Sequence, residues 1–513
     1  MGTLLHDLVV TSERVAATRS RTEKLAHLAA CLRALEPDEI PIGVAFLAGE
    51  MRQARIGVGW ATTAGAGAGG AATMPTLTLG EVDDAFETIA RRRGAGSAGE
   101  RSRTLGTLFA RATPSEQSFL RRLVVGELRQ GALEGLLVEA IARAAGIAAA
   151  EVRRAVMLAG ETASVARAAL TEGAAGLARF RLEVLRPVQP MLAQTTDAAA
   201  DALARLGSAV AEHKIDGARV QVHRDGDEVR VFTRQLNDVT AAVPEIVAVA
   251  RTLPVDRIVL DGEAVVLGPS GAPATFQKTM RRFGRRLDVD RLVAEMPLAA
   301  YFFDCLHLDG EDLVDRPTET RWAALAGALP ASRQIARRLV ADPAAAEAFL
   351  AEALAAGHEG IMLKATGAAY EAGRRGASWL KLKPAHTLDL VVLAVEWGSG
   401  RRRGWLSNLH LGARDPARGG FVMLGKTFKG MTDDMLRWQT ERLASLEIGR
   451  DAHIVHVRPE LVVEVAFDGV QASPHYPGGM ALRFARVRRY RLDKAAGNAD
   501  TIDAVRAIFE RTG

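Results

Sequence analysis

At 513 residues the chain is too long for one compact core and implies two to four domains. Hydrophobic residues make up 48% and charged residues 25%, as in an ordinary globular protein, and no apolar run approaches the roughly 18–20 residues that span a bilayer. A net charge of +5 suits a polyanionic partner, and a slightly basic enzyme without one fits it equally well. The N-terminus has acids and polar residues inside its apolar stretch and lacks the order of a secretory signal. His6 stands where myristoylation asks for Ser or Thr. Cys31 and Cys305 lie far apart, which suggests neither a disulfide framework nor a metal site. The expectation is a cytoplasmic protein, nucleoid-associated, with no membrane partner.

Residues 1–185 read as mostly helical. Apolar residues recur at three- and four-residue steps in 12–35, 114–146 and 148–170, with Arg between them and Ser, Pro-Ser and Gly at the ends. Two stretches read as loops: the Ala/Gly-rich 61–73 and the cationic 91–103. The character changes at 185–194, where Pro187 and Pro190 mark a linker. Beyond it, 219–234 alternates around Asp225-Gly226-Asp227 and predicts a hairpin. The segments 257–268, 298–310 and 359–366 have the same strand-and-turn character, while 333–357 reads as helix, giving an α+β pattern. A third shift comes near 381–398. Five or so short strands follow, interrupted by a helix over 433–446, which suits a small β-barrel of the OB type. The predicted units are 1–185, 186–385 and 386–513.

Lysine usage directs attention to chemistry. Of 66 basic residues only nine are Lys, and none falls between Lys24 and Lys214. The Arg- and Ala-rich composition points to a GC-rich coding genome that favours Arg wherever any cation serves. An amine can lose its proton and attack an electrophile, whereas a guanidinium in practice cannot. Lys214 stands in Glu212-His213-Lys214-Ile215-Asp216-Gly217-Ala218-Arg219. It could attack the α-phosphorus of a nucleotide and release pyrophosphate, provided that nearby cations and partial burial depress its pKa. Arg219 would hold phosphate or ribose by its fork of donors, and Gly217 would let the backbone approach the ligand. A surface turn with an ordinary ion pair reads the same octapeptide differently. Glu263 and Glu359 could hold Mg²⁺, since that ion takes oxygen ligands and shares them with phosphate, although either could be a plain strand acid. Strand alternation in Trp379-Leu380-Lys381-Leu382-Lys383 puts both lysines on one face, which suits an α-phosphate or a solvated strand.

Taken together, these motifs resemble the ATP-dependent DNA ligases of the nucleotidyltransferase superfamily. The resemblance runs from Lys214–Arg219, the adenylated-lysine motif, through Thr233-Arg234, Leu260–Glu263, Tyr301–Asp304, Glu359–Lys364 and Trp379–Lys383. It continues over Leu461–Lys494, which is closest to the archaeal and eukaryotic-nuclear type, with Ala485 where the family usually has Pro. The residues 125–147 look like that type's helical DNA-binding domain. The resemblance implies three domains: an all-α DNA-binding domain, an α+β nucleotidyltransferase (adenylation) domain and an OB-fold β-barrel. It implies ATP and Mg²⁺, with Mn²⁺ as an alternative, and nicked double-stranded DNA as partner, the protein acting as a monomer with no recognisable sliding-clamp peptide. It also implies roles. Glu212 contacts adenine and Phe303 stacks on it. Arg219, Arg234, Glu263, Arg375, Lys381 and Lys383 bind nucleotide, and Glu263 and Glu359 hold metal. Arg483, Arg486, Asp493 and Lys494 form the adenylation motif on the pyrophosphate side. RNA ligases and capping guanylyltransferases share the lysine chemistry but not the helical N-terminal part or the long C-terminal segment. A structural clamp with an inactive core would not need the full set of Lys, Arg and Glu.

Overall fold

The computed structural model describes the chain except residues 1, 54–55, 67–69, 95, 129–133, 269–272, 275, 285–287, 373–374, 385 and 513, and the side chains of 60–61, 64, 375–377, 401 and 511–512. Among the described residues, ten helices fall between Leu5 and Leu177. The first, Leu5–Ala17, buries Leu5, Leu8, Val9, Ser12 and Val15, a spacing that lays one stripe against the core. Thr78 and Thr113 open Leu79–Arg91 and Pro114–Val124 with capping boxes, in which Glu81 and Glu116 return the bond. One apolar cluster runs from Leu5 to Leu177 and closes this part.

Three expectations are corrected here. The stretch 61–73 is not a free loop. Trp60–Ala66 is helical, because alanines outweigh its single glycine, and Gln117 Nε2 and the Ala112 carbonyl tie down Gly70 and Ala72. The cationic 91–103 is helix in part as well, since Leu79–Arg91 reaches its first residue and the next helix, Ser97–Arg111, carries Arg101 and Arg103. Within 333–357, only Pro343–Ala355 is helix. Asp342 caps it by accepting from Ala345 N, and Pro343 sits where its missing N–H costs nothing. The Arg337–Val340 segment before it is a strand, drawn into pairing with Ala209–Glu212. Part of the 125–147 resemblance, residues 129–133, lies outside the described residues.

Ten strands follow among the described residues: β1 Leu192–Thr196, β2 Ala209–Lys214, β3 Ala218–Asp225, β4 Glu228–Thr233, β5 Arg257–Val266, β6 Leu298–Leu308, β7 Glu311–Asp312, β8 Arg337–Val340, β9 Gly360–Ala365 and β10 Arg375–Leu382. They form two five-stranded sheets, ordered β1-β10-β9-β2-β8 and β4-β3-β5-β6-β7. The predicted hairpin is β3–β4, turned by Gly226-Asp227 with Gly226 at φ +57°. Met157 and Leu158 of the helical part share a cluster with Val188, Met191, Phe303, Tyr370 and Trp379. The helical part is therefore seated on the wall that carries the aromatic residues.

The C-terminal part is β-rich: β11 His386–Trp397, β12 Leu406–Arg414, β13 Phe421–Thr427, β14 Glu447–Asp451, β15 Ile454–Val457, β16 Val462–Phe467, β17 Gly469–Ala472, β18 Met480–Arg483 and β19 Arg486–Tyr490. Among the described residues nine strands stand where about five were expected, because five of them have only four or five residues and no long alternation to betray them. The long strand β11 pairs with β12 along one side and with β15 and then β16 along the other. Helix Asp433–Ser445 lies where the sequence places it, and a further helix, Ile502–Thr512, ends the chain. No helix of the described residues is long and apolar enough to cross a membrane.

Candidate active site

Lys214 is the last residue of β2, whose partner is β9: Lys214 lies opposite Gly360, and Glu359 N donates to the Lys214 carbonyl at 3.0 Å. This register sets the Glu359 carboxylate beside the lysine. Lys214 Nζ pairs with Glu359 Oε2, and Lys383 Nζ donates to Glu359 Oε1 at 2.7 Å. Burial would lower the Lys214 ammonium, but Glu359, then Glu263 and Asp216, outweigh it and raise its pKa. The expected depression by neighbouring cations is thereby corrected: the nearest groups are acids, and the lysine is held protonated. For Glu359, burial acts upward, yet Lys214 and Lys383 bring the carboxyl down to about 2. Burial pushes Glu263 up to about 7, with Lys214 and Arg219 only partly offsetting it.

Gly217 serves packing. A Cβ there would meet the Ala264 carbonyl and lie 2.6 Å from Val265 Cγ1, so the chain needs glycine to press β3 on β5, whatever it does for a ligand. Arg219 spends its fork inside the protein. Nε and Nη2 donate to Asp261 at 2.9 and 2.6 Å, Nη1 to the Met191 carbonyl at 2.6 Å, and Nη2 to Tyr370 Oη at 3.1 Å. Tyr370 Oη in turn donates to Asp261 Oδ2 at 2.6 Å. The Arg219 guanidinium lies 5.4 Å over Phe303, and Phe303 meets Trp379 edge-on at 5.9 Å.

These groups surround a cavity of about 530 Å³ between the two sheets. Of the residues expected from sequence, Glu212, Lys214, Arg219, Arg234, Glu263, Phe303 and Lys381 line it. Glu212 and Lys364 are buried together there as a 2.6 Å ion pair, and Lys364 Nζ lies 4.2 Å from the Trp379 ring centre. Burial raises the Glu212 carboxyl despite Lys364, and Glu212 Oε1 has no hydrogen-bond partner among the described residues. Lys383 and Glu359 stand just beyond the lining, joined to Lys214. Arg375 begins β10, but its side chain lies outside the described residues. Phe276, Met280 and Phe283, which no sequence motif pointed to, also line the cavity. Their i, i+4, i+7 spacing on helix Phe276–Phe283 was the available signal.

The C-terminal part reaches the same place. Arg483 Nη1 donates to Asp216 Oδ2 at 3.3 Å, Asp468 pairs with Lys383, and Arg486 lies 3.7 Å from Asp468. Asp493 and Lys494 do not line the cavity; they pair with Arg491 and Asp389. Among the described residues no three His, Cys, Asp or Glu side chains converge as a metal cage. Glu263, a buried carboxyl of raised pKa, still suits a Mg²⁺ shared with phosphates, because that ion is held by one or two carboxylates plus the substrate. Glu359 would have to give up a lysine to join it.

Three family profiles match the chain: the ATP-dependent DNA ligase domain over 190–383, the ATP-dependent DNA ligase C-terminal region over 402–494 and the DNA ligase N terminus over 67–142. A probable DNA ligase of Anaeromyxobacter dehalogenans (strain 2CP-1) is 62% identical over 99% of both chains. Probable DNA ligases of Sorangium cellulosum and Mycolicibacterium paratuberculosis are 60% and 57% identical, over 98% and 99% of this chain and 95% and 98% of theirs. The solved structure Pmar-Lig_PreS3 is similar in fold at a TM-score of 0.62 and 18% identity, covering 94% of this chain and 99% of that one.

Proposed function

This chain belongs to the ATP-dependent DNA ligase family, and on that premise we propose that Lys214 is the residue that carries AMP while it seals nicks in duplex DNA. The observation that carries the residue assignment is the position of Lys214 at the end of β2, inside the cavity and beside an ordered set of acids and lysines. In the first step Lys214 Nζ bonds to the α-phosphorus of ATP and pyrophosphate leaves. The ion pair with Glu359 keeps a proton on Lys214, so nucleotide binding has to loosen that pair and let the proton pass to solvent before the amine attacks. AMP then passes to the 5′-phosphate at the nick, freeing the lysine. Finally the 3′-hydroxyl attacks that phosphate and AMP leaves.

Neighbouring residues take supporting roles in this reading. Glu212 presents its unpaired oxygen to adenine, and Phe303 with Trp379 provides the aromatic wall. Arg219 shapes that wall through Asp261 and Tyr370. Arg234 and Lys381, which line the cavity, meet ribose and phosphate. Glu263, with Glu359 once released, would hold Mg²⁺, which supplies charge neutralisation on the phosphates. Arg483 and Arg486 stand on the pyrophosphate side. Arg375, Lys383, Asp493 and Lys494 keep the nucleotide-binding and adenylation-motif roles that the resemblance implies. We further propose units 1–185, 186–385 and 386–513, the last an OB barrel. Apolar clusters confined to 5–177 and 388–508 and the double pairing of β11 support this division.

The test is covalent labelling. Incubation with α-labelled ATP and Mg²⁺ followed by denaturation should leave label on the wild type and none on Lys214→Ala, which should still bind nicked DNA. Label on Lys214→Ala would refute the nucleophile. Label from GTP alone would replace ligation by capping chemistry. Nicked DNA should then discharge the label and yield sealed product.

A further inference from the structure

One acid in the C-terminal part is joined to the nucleophile by a run of alternating charges. Lys214 pairs with Glu359, Glu359 with Lys383, and Lys383 with Asp468. The run also closes on itself. Asp468 N donates to the Arg483 carbonyl at 2.9 Å, Arg483 Nη1 donates to Asp216 Oδ2 at 3.3 Å, and Asp216 acts electrostatically on Lys214. Asp468 sits at the turn between β16 and β17, its side chain 15% exposed, and Arg486 lies 3.7 Å from its other oxygen. It does not line the nucleotide cavity. It lies within the Leu461–Lys494 resemblance, which gives it no role of its own.

We infer that Asp468 is a positioning residue for the adenylation of Lys214: it fixes Lys383 against Glu359 and registers the β17–β18 hairpin, with Arg483, over the cavity. The physical reason is competition. Glu359 has two oxygens and two lysines. Asp468 takes a share of Lys383 and sets where that ammonium stands, and the position of Lys383 in turn sets how Glu359 holds Lys214. A mostly shielded carboxylate with two cationic neighbours places those charges more sharply than a solvated one can. Because Asp468 does not line the cavity and acts through Lys383 and Glu359 on Lys214, its loss should slow the bond-forming step far more than it weakens nucleotide affinity. It should also drop out of the sealing of a nick that already carries AMP, because Lys214 forms no bond in that reaction.

This inference rests on the proposed role of Lys214, so the experiment separates the two. Single-turnover labelling by ATP is measured on the full chain for wild type, Lys214→Ala, Asp468→Asn and Asp468→Glu, with sealing of chemically pre-adenylated nicked DNA in parallel. Asp468→Asn should slow labelling about tenfold or more, since small misplacements of reacting groups cost factors of this size. The ATP concentration for half-maximal rate and the rate of pre-adenylated sealing should stay within about twofold. Asp468→Glu, which keeps the charge, should restore most of the labelling. If Asp468→Asn does not fold, as judged by its melting midpoint, Asp468→Ser takes its place in the same comparison. Full-rate labelling without the carboxylate overturns the inference. So does an equal loss in both reactions, or a well-folded Asp468→Glu as slow as Asp468→Asn. Label surviving on Lys214→Ala would instead overturn the proposed nucleophile.

Discussion

Tyr370 shows how a residue outside every motif can shape the site. Its phenol is buried, accepts from Met191 N at 3.0 Å and donates to Asp261 Oδ2, the oxygen that also receives Arg219 Nη2. Tyr370→Phe removes only the hydroxyl, so the aromatic contact with Trp379 stays while Asp261 and Met191 each lose a partner. Leaving buried polar groups unpaired costs roughly 1–3 kcal/mol. The variant should lose about that much unfolding free energy in urea, and it should label more slowly as Arg219 loosens. An unchanged midpoint would show that the hydroxyl does nothing for stability. Gly217 gives a second prediction of this kind. In Gly217→Ala the new methyl meets the backbone of Ala264 as well as Val265, and backbone cannot rotate away. Overpacking of this sort costs typically about 1–3 kcal/mol, so a Gly217→Ala melting curve that overlays the wild type would contradict it.

At the scale of elements, the linker is the informative case. Its prolines mark 185–194 as a segment that cannot be helical throughout, and the structure shows what holds its first half. Leu185 N donates to His223 Nδ1, while Val188 N and its carbonyl bond the Gln221 side chain. Both partners lie on β3. His223 is fully buried with its Nδ1 accepting, so it is folded as the neutral ring, and burial, with a smaller push from His307, lowers its pKa to about 3. The unfolded chain has an ordinary histidine near 6.5. Between those values the unfolded state binds the extra proton. Stability from this group is therefore complete above about pH 6.5 and is lost as pH falls toward 3. From pH 7.5 to 5 the wild type should lose about 2 kcal/mol on this account. His223→Gln should show a flatter dependence, and equal slopes for the two proteins would remove His223 from the explanation. The same scale shows what sequence can carry. The β3–β4 hairpin was legible because Asp225-Gly226-Asp227 encodes its turn locally, and the helix over 433–446 because its period is long. Strand β8 was not, because Arg337–Val340 becomes extended only by pairing with β2, more than a hundred residues earlier in the chain. In the site, the motif residues Glu212, Lys214, Arg219, Arg234, Glu263, Phe303 and Lys381 were legible as a set, and they line one cavity. The partners that set their behaviour were not: Asp261 for Arg219, Glu359 as an acid rather than a cation beside Lys214, and Asp468 for Lys383. Each comes from another strand, and register rather than spacing brings it there.

At the scale of the whole molecule, the two half-reactions make different electrostatic demands. Labelling at Lys214, the proposed nucleophile, would depend on pairs that are largely shielded: Lys383, Glu359 and Lys214 side chains are 12, 18 and 22% exposed. Shielded pairs are screened little by salt. Holding a nicked duplex depends instead on cations meeting phosphates across a broad surface, with counterions released in proportion to the contacts made. A grip of about 6–10 phosphates would lose roughly 10³–10⁵ in affinity between 50 and 200 mM salt. Over that range, labelling by ATP should fall by less than about tenfold, since its pairs are screened so little. Sealing at limiting DNA should collapse in step with binding, and raising the DNA concentration should restore it. Parallel loss of labelling and binding would mean that salt opens the adenylation site itself, and that the charge run from Lys214 to Asp468 is far more exposed in solution than its geometry implies.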